Sequence, residues 1–282
     1  MAGNKVKFKA ITNGIDLERW VLPEIMQFYR ENEIIDRFGL PTAGFRERLG
    51  SFSAEKVREL KKVGRRHLNR VLEGRVDSFG ERVAFSDAEM VFGFKRRFVD
   101  YKRPLLPFTD TERLKAILRE NNAHYVITGR VHDGDERMMQ KLEKLLGLLR
   151  DDEFLRERVH YLPDYDEELA LALSVGTNAS INMPIVGLEA CGTSWMKDVA
   201  NLGLLISTHD GGVADGAMDG YLNVSGSNEA EEVEMLYQRM DEAAKAWGND
   251  FDLEYWVQKQ LSNYLEVVSG ARMLRDYLEY LF

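Results

Sequence analysis

The sequence predicts a doubly wound α/β domain, a parallel sheet covered by helices on both faces, with an appended C-terminal helical layer. Three observations predict it. Between residues 89 and 207 short apolar runs alternate with segments of helical periodicity, and that spacing calls for right-handed crossovers between parallel strands. The composition, 44% hydrophobic and 30% charged, is that of an ordinary folded chain, so both faces of such a sheet can be covered. Beyond Asn228 the pattern is helical to the end. At 282 residues the chain lies near the upper limit for one hydrophobic core. The expected organisation is an irregular and helical segment over 1–84 packing on the main domain, an α/β core over 85–225, and C-terminal helices over 226–282.

In order, Thr12-Asn13-Gly14 is a turn signal, and a short amphipathic stretch runs from Pro23 to Asn32. Ser53 is a credible N-cap for a long helix whose apolar positions are Val57, Leu60, Val63, Leu68 and Val71. Its many Lys and Arg residues read as a solvated face. Met90–Phe94, His124–Thr128, Val159–Leu162, Ala179–Met183 and Leu204–Ser207 read as strands. The intervening helices are Thr111–Asn121, Glu136–Leu149, Asp166–Val175 and Thr193–Asn201. Asn228, with Glu231 three residues on, caps the first of the terminal helices. Their stripes include Val233, Leu236, Tyr237, Met240, Trp256, Leu261, Tyr264 and Leu265.

Composition excludes several functions. A net charge of −9 repels polyanions such as nucleic acid or an acidic membrane surface. One cysteine, Cys191, allows no intrachain disulfide and points to a reducing cytoplasm. The opening residues lack an apolar signal core, and no run reaches the ~18 apolar residues that span a bilayer. The five histidines show no metal-ligand spacing, so no metal site is expected. No dinucleotide fingerprint, Walker loop or serine-hydrolase elbow occurs.

In open parallel sheets ligands bind beyond the carboxyl ends of strands, so the loops after strands carry the candidates. Lys95, Arg96, Arg97, Lys102 and Arg103 place five cations within nine residues directly after the Met90–Phe94 strand, with Tyr101 among them and only Asp100 opposing. A run of one sign after a strand points to an anion, since each charge-assisted hydrogen bond to a phosphate oxygen contributes roughly 1.5–3 kcal/mol. The second loop is Gly187 to Lys197, in which Gly192 permits close backbone approach just before a helix opens. Unpaired N–H donors there suit phosphate, and Lys197 lies one turn into the helix. By spacing alone Lys197 reads as an exposed helical lysine and Cys191 as a small buried packing residue.

Together these loops resemble one family. Gly93-Phe94-Lys95-Arg96-Arg97-Phe98-Val99-Asp100-Tyr101-Lys102-Arg103, then Tyr161-Leu162-Pro163-Asp164-Tyr165-Asp166, then Glu189-Ala190-Cys191-Gly192-Thr193-Ser194-Trp195-Met196-Lys197, look like the α-glucan phosphorylases, which include glycogen, starch and maltodextrin phosphorylases. Thr12-Asn13-Gly14-Ile15 and Asp210-Gly211-Gly212 fall in the same order. The resemblance runs from about residue 10 to the end. It implies the second Rossmann-like domain of a GT-B glycosyltransferase architecture, in which two such domains face each other across a cleft.

The resemblance also implies roles. Lys197 would form the Schiff base with pyridoxal 5′-phosphate, while Gly192, Thr193 and Arg96 hold the cofactor phosphate. Arg97 and Lys102 would grip the substrate phosphate. Asn13, Tyr101, Glu189 and the backbone of Ala190 and Gly192 would hydrogen-bond the glucosyl unit. The implied reaction is phosphorolysis of α-1,4-glucan by inorganic phosphate to glucose 1-phosphate, with the cofactor phosphate relaying a proton. It further implies a complementary N-terminal domain and leaves a homo-oligomer open. Three positions depart from the pattern: Trp195 stands where Gly or Asn is usual, Cys191 where Ser is usual, and Leu202 where Gly commonly follows the Asn. An indole beside Lys197 is expected to crowd the cofactor or the substrate. Two other readings stand beside the enzyme: a non-catalytic binding or assembly subunit of the same fold, and a nucleotide-sugar glycosyltransferase domain.

Overall fold

The structure, a computed structural model, describes residues 10–281; the opening segment read above for a signal core lies outside them. Three short helices, α1 (Leu17–Trp20), α2 (Pro23–Glu31) and α3 (Phe45–Arg48), precede the long α4 (Ala54–Leu72). The α/β core then runs β1 (Met90–Lys95), α5 (Thr111–Glu120), β2 (Ala123–Thr128), α6 (Glu136–Asp151), α7 (Glu153–Arg158), β3 (Val159–Leu162), α8 (Glu167–Gly176), β4 (Ala179–Asn182), α9 (Ser194–Ala200), β5 (Leu204–Ser207) and β6 (Leu222–Asn223). The helices α10 (Glu229–Gly248), α11 (Asp250–Val268) and α12 (Gly270–Leu281) end the chain. Among the described residues no helix is long and apolar enough to cross a membrane.

All pairings in the sheet are parallel, in the order β3-β2-β1-β4-β5-β6. Successive residues of β1 and β2 are buried throughout because both faces are covered. Val91, Val126 and Leu162 face Leu68, Leu72, Leu169 and Leu173 of α4 and α8. Phe92, Phe94, Tyr125 and Ile127 belong to the larger core with Leu114, Leu118 and Leu145 of α5 and α6. Side chains cap the helices where expected: Ser53 accepts from Lys56 N–H, and Asn228 from Glu231 N–H. Such a cap contributes about 1 kcal/mol.

Besides the four-residue helices α1 and α3, two elements of the α/β core escaped the pattern reading. The six residues of α7 are too few to display a helical period, although Asp152 caps them, and β6 is only two residues long. The solvated-face reading of α4 needs correction. Lys61 and Arg65 are buried, because α4 crosses α8 so closely that a Cβ on Gly64 would stand 2.1 Å from the Val175 carbonyl oxygen. The Arg65 guanidinium donates to Gly176 O at 2.9 Å, Ser86 O at 2.9 Å and Asn178 Oδ1 at 2.6 Å. Lys61 Nζ donates to Asn201 O at 3.2 Å. Burial there lowers the Lys61 pKa to about 7, with the Arg65 charge adding to the effect.

The fold also stacks two histidines that are 36 residues apart. His124 Nδ1 lies 3.0 Å from His160 Nε2, and Glu89 and Asp77 flank the pair. Among the described residues no group of His, Cys, Asp and Glu could hold a metal ion. Burial, followed by the neighbouring imidazole, lowers the His124 pKa to about 4.

Two predictions follow from this packing. Gly64→Ala forces α4 off α8 and destabilises the protein by about 3 kcal/mol, read as a lower urea midpoint. Because the folded state resists protonating His124, stability falls as pH drops from about 6.5 toward 4, by about 3 kcal/mol in all. Thermal unfolding at stepped pH measures this, and His124→Gln flattens the slope.

Candidate functional site

Strand order reverses between β1 and β4, so the chain leaves these neighbours in opposite directions and opens a crevice at their carboxyl ends. The two loops picked out in the sequence are the ones that leave there. Contacts across the crevice tie them together. Arg96 Nη2 donates to Glu189 Oε2 at 2.7 Å, and Lys102 Nζ lies 3.1 Å from the same oxygen. The Arg103 guanidinium donates to Met183 O at 2.9 Å, and Ile185 N–H to Tyr101 O at 2.8 Å. Arg96 and Lys102 are buried, whereas Arg97 is exposed. Desolvation lowers the pKa of both buried cations, and for Lys102 the Arg96 charge acts the same way.

The absence of a side chain at Gly192 leaves room for Arg96: a Cβ there would stand 2.6 Å from Arg96 Nη2, which would have to shift. Arg96 Nη1 is buried without a hydrogen-bond partner among the described residues. Thr193 is the N-cap of α9 but makes no side-chain cap bond, so its hydroxyl and the first N–H groups of α9 are not spent on each other. Glu189 keeps Oε1 turned toward Gly192 while Oε2 serves the cations. The Glu189 N–H is held by Asp210 Oδ2 at 2.9 Å, and Gly211, at φ 56°, packs against the Glu189 carbonyl. Ala190 is exposed beside it.

Lys197 is half-buried on α9, its Nζ 3.1 Å from the centroid of the Trp20 ring. Burial, then the nearby charge of Lys95, lowers its pKa to about 8. Asn13 reaches the same loop from the other end of the chain. Its Nδ2 donates to Cys191 O at 2.9 Å and its N–H to Cys191 Sγ at 3.3 Å. The Asn13 carbonyl accepts from Arg272 Nη2 at 2.9 Å, and Thr12 O from Arg272 Nη1 at 3.0 Å. Gly14 lies flush on the Ser269 carbonyl, since Ile15 and Ser269 form a parallel bridge.

The contacts thus bring Arg96, Tyr101, Lys102, Glu189, Gly192 and Asn13 to the two loops at this crevice, with Thr193 and Lys197 at the helix opening from it, while Arg97 and Ala190 are exposed in those loops. Trp20, Arg272 and Asp198 were not anticipated, nor was the pairing of Lys95 with Asp198, because each meets the site through a partner distant in sequence. The departures resolve individually. Trp195 does not project beside Lys197: it is buried edge-on to Tyr264 of α11, with ring centroids 5.2 Å apart, and packs on Gly212. Cys191 is half-exposed rather than buried. Leu202 retains the left-handed backbone, φ 64°, that a glycine would adopt freely.

These residues fit a phosphate-bearing aldehyde. The buried, unpartnered Arg96 Nη1 and the side-chain-free Gly192 suit its phosphate, and an amine that loses its proton near pH 8 suits its carbonyl. Acetylation of Lys197 with acetic anhydride, followed by peptide mass analysis across a pH series, is expected to show half-maximal reactivity at about pH 8, well below the ordinary lysine value.

No family model matches the chain. Whole-chain similarity to curated proteins is extensive. A glycogen phosphorylase of Aquifex aeolicus is 27% identical over 300 residues, which is 95% of this chain and 43% of that protein. A glycogen phosphorylase of Mycobacterium tuberculosis is 27% identical over 318 residues, 99% of this chain and 36% of that protein. A maltodextrin phosphorylase of Thermococcus litoralis is 25% identical over 303 residues, 98% of this chain and 36% of that protein. The motif resemblance thus extends over nearly all of the chain, while the chain spans less than half the length of these relatives.

Proposed function

We propose that the chain is the cofactor- and phosphate-binding half of an α-glucan phosphorylase, acting with a complementary N-terminal domain in the phosphorolysis of α-1,4-glucan to glucose 1-phosphate. The observation that carries this reading is the convergence of buried Arg96 and Lys102 on one Glu189 oxygen, against the Gly192 backbone and one helical turn from Lys197. Pyridoxal 5′-phosphate, when bound, supplies a phosphate that exchanges a proton with inorganic phosphate. The amine of Lys197 tethers the cofactor, and Arg96, Gly192 and Thr193 hold its phosphate. Exposed Arg97 and buried Lys102 hold inorganic phosphate next to it. Two phosphates approach closely only where cations offset their repulsion, and low solvent access strengthens each contact. Glu189 Oε1, Asn13, Tyr101 and the backbone of Ala190 and Gly192 orient the glucosyl unit.

The opposite wall of the cleft is assigned to polypeptide outside these 282 residues. The apolar side chains that α12 exposes, Leu274, Tyr277, Leu278 and Leu281, support contact with further polypeptide. A second reading, a non-catalytic binding or assembly subunit, has one observation in its favour: none of five clefts of about 250 to 680 Å³ is lined by Lys197, Arg96 or Thr193.

One experiment separates the two. Incubation with pyridoxal 5′-phosphate and reduction with borohydride should give a single pyridoxyl adduct at Lys197, absent in Lys197→Ala. In Gly192→Ala, where Arg96 is displaced, cofactor affinity should fall by about tenfold or more. With the complementary domain supplied, maltodextrin and phosphate should yield glucose 1-phosphate. Absence of the Lys197 adduct would favour the subunit reading.

A further inference from the structure

We propose that the buried ion pair between Lys95 and Asp198 is the positioning device of this site, fixing the carboxyl end of β1 to α9 and setting the electrostatic surroundings of the Lys197 amine. The inference rests on the role given to Lys197 above and extends it to Lys95, which the cation run contains without a role of its own, and to Asp198, which lies outside the loop motifs. Lys95 Nζ meets Asp198 Oδ1, and both side chains are 3% exposed. Lys95 ends β1 and directly precedes Arg96, while Asp198 directly follows Lys197. The pair therefore couples the two cation-bearing pieces of the site at their roots.

Stability alone is a poor reason for such a pair. Desolvating two charges costs about as much as their attraction returns, and an apolar pair of similar volume packs equally well or better. The charge inventory suggests what the pair does instead. Lys197 is faced by Lys95 from β1, by Asp198 on its own helix, by Glu167 from α8 and by Arg19 from α1, with the Trp20 ring against its amine. Glu167 and Arg19 are exposed and paired with each other. Behind the site Lys61 of α4 feels the charges of the same Asp198 and Lys95, while its own amine donates to Asn201 O at 3.2 Å. Of the three lysines Lys61, Lys95 and Lys197, it is Lys95 that is bonded to the buried carboxylate. Lys95 occupies that carboxylate, so Lys197 is left without a close counter-ion that would hold its proton.

The test uses the full chain and needs no cofactor. The acetylation profile of Lys197 is measured in wild type, Lys95→Gln and Lys95→Arg, with thermal unfolding run in parallel. Glutamine still hydrogen-bonds Asp198 but releases its negative charge toward Lys197. The midpoint of Lys197 labelling should move up by about one pH unit, and at pH 7 the reactive amine should fall by about tenfold. Arginine should restore the wild-type midpoint. An unshifted midpoint in folded Lys95→Gln overturns the proposal, since a merely structural pair predicts that result. Should the glutamine variant not fold, a midpoint in Lys95→Arg displaced from wild type overturns it, and an unchanged one supports it. A pyridoxyl adduct at Lys197 with no midpoint shift would remove this proposal alone. A midpoint shift without any adduct would remove the cofactor reading and leave the pair's influence on Lys197 intact.

Discussion

Two buried cations share one carboxylate oxygen at the mouth of the sheet, and the site is organised around that imbalance. Arg96 and Lys102 both turn to Glu189 Oε2, yet a single negative charge cannot offset two desolvated positive ones. The remaining positive potential is local. Charges elsewhere on a chain of net −9 lie mostly beyond the ~8 Å over which they act at physiological salt. The neighbourhood therefore suits an anion without contradicting the acidic composition. The same contacts close the crevice between the loops after β1 and β4, so the bonds that hold the fold together here also leave the site short of negative charge.

The sheet was legible because its information is local. Each core strand is a short apolar run flanked by helical periodicity, and five of the six strands fall where the runs are. The sixth, Leu222–Asn223, carries too few residues for any pattern. The two loops were legible for a related reason: a burst of like charge and a Gly-Thr turn both follow strands directly. What remained hidden is long-range. Arg272 reaches Asn13 across 259 residues, and Lys95 reaches Asp198 across 103. No periodicity records such meetings. Lys61 and Arg65 looked solvated because their helix is polar, and only the close approach of α8 at Gly64 buries them.

The unusual residues near Lys197 show how a backbone can outlast a change of side chain. Leu202 occupies a left-handed position at a cost of about 1 kcal/mol, offset by complete burial of its side chain in the core. Trp195 likewise stands at the start of α9 yet places its indole against Tyr264 and Gly212. The turn and the helix opening are thus kept while their side chains serve the interior.

The segment holding Asn13 adds no sheet strand of its own. It is pinned by the backbone bonds of Ile15 to Val268 and Gly270 and by the guanidinium of Arg272. Those partners are synthesised some 250 residues later than the segment they secure. On the ribosome, then, the sheet and its two cationic loops can assemble while the first wall of the crevice waits unanchored, and the pocket is finished only when the start of the last helix emerges from the exit tunnel.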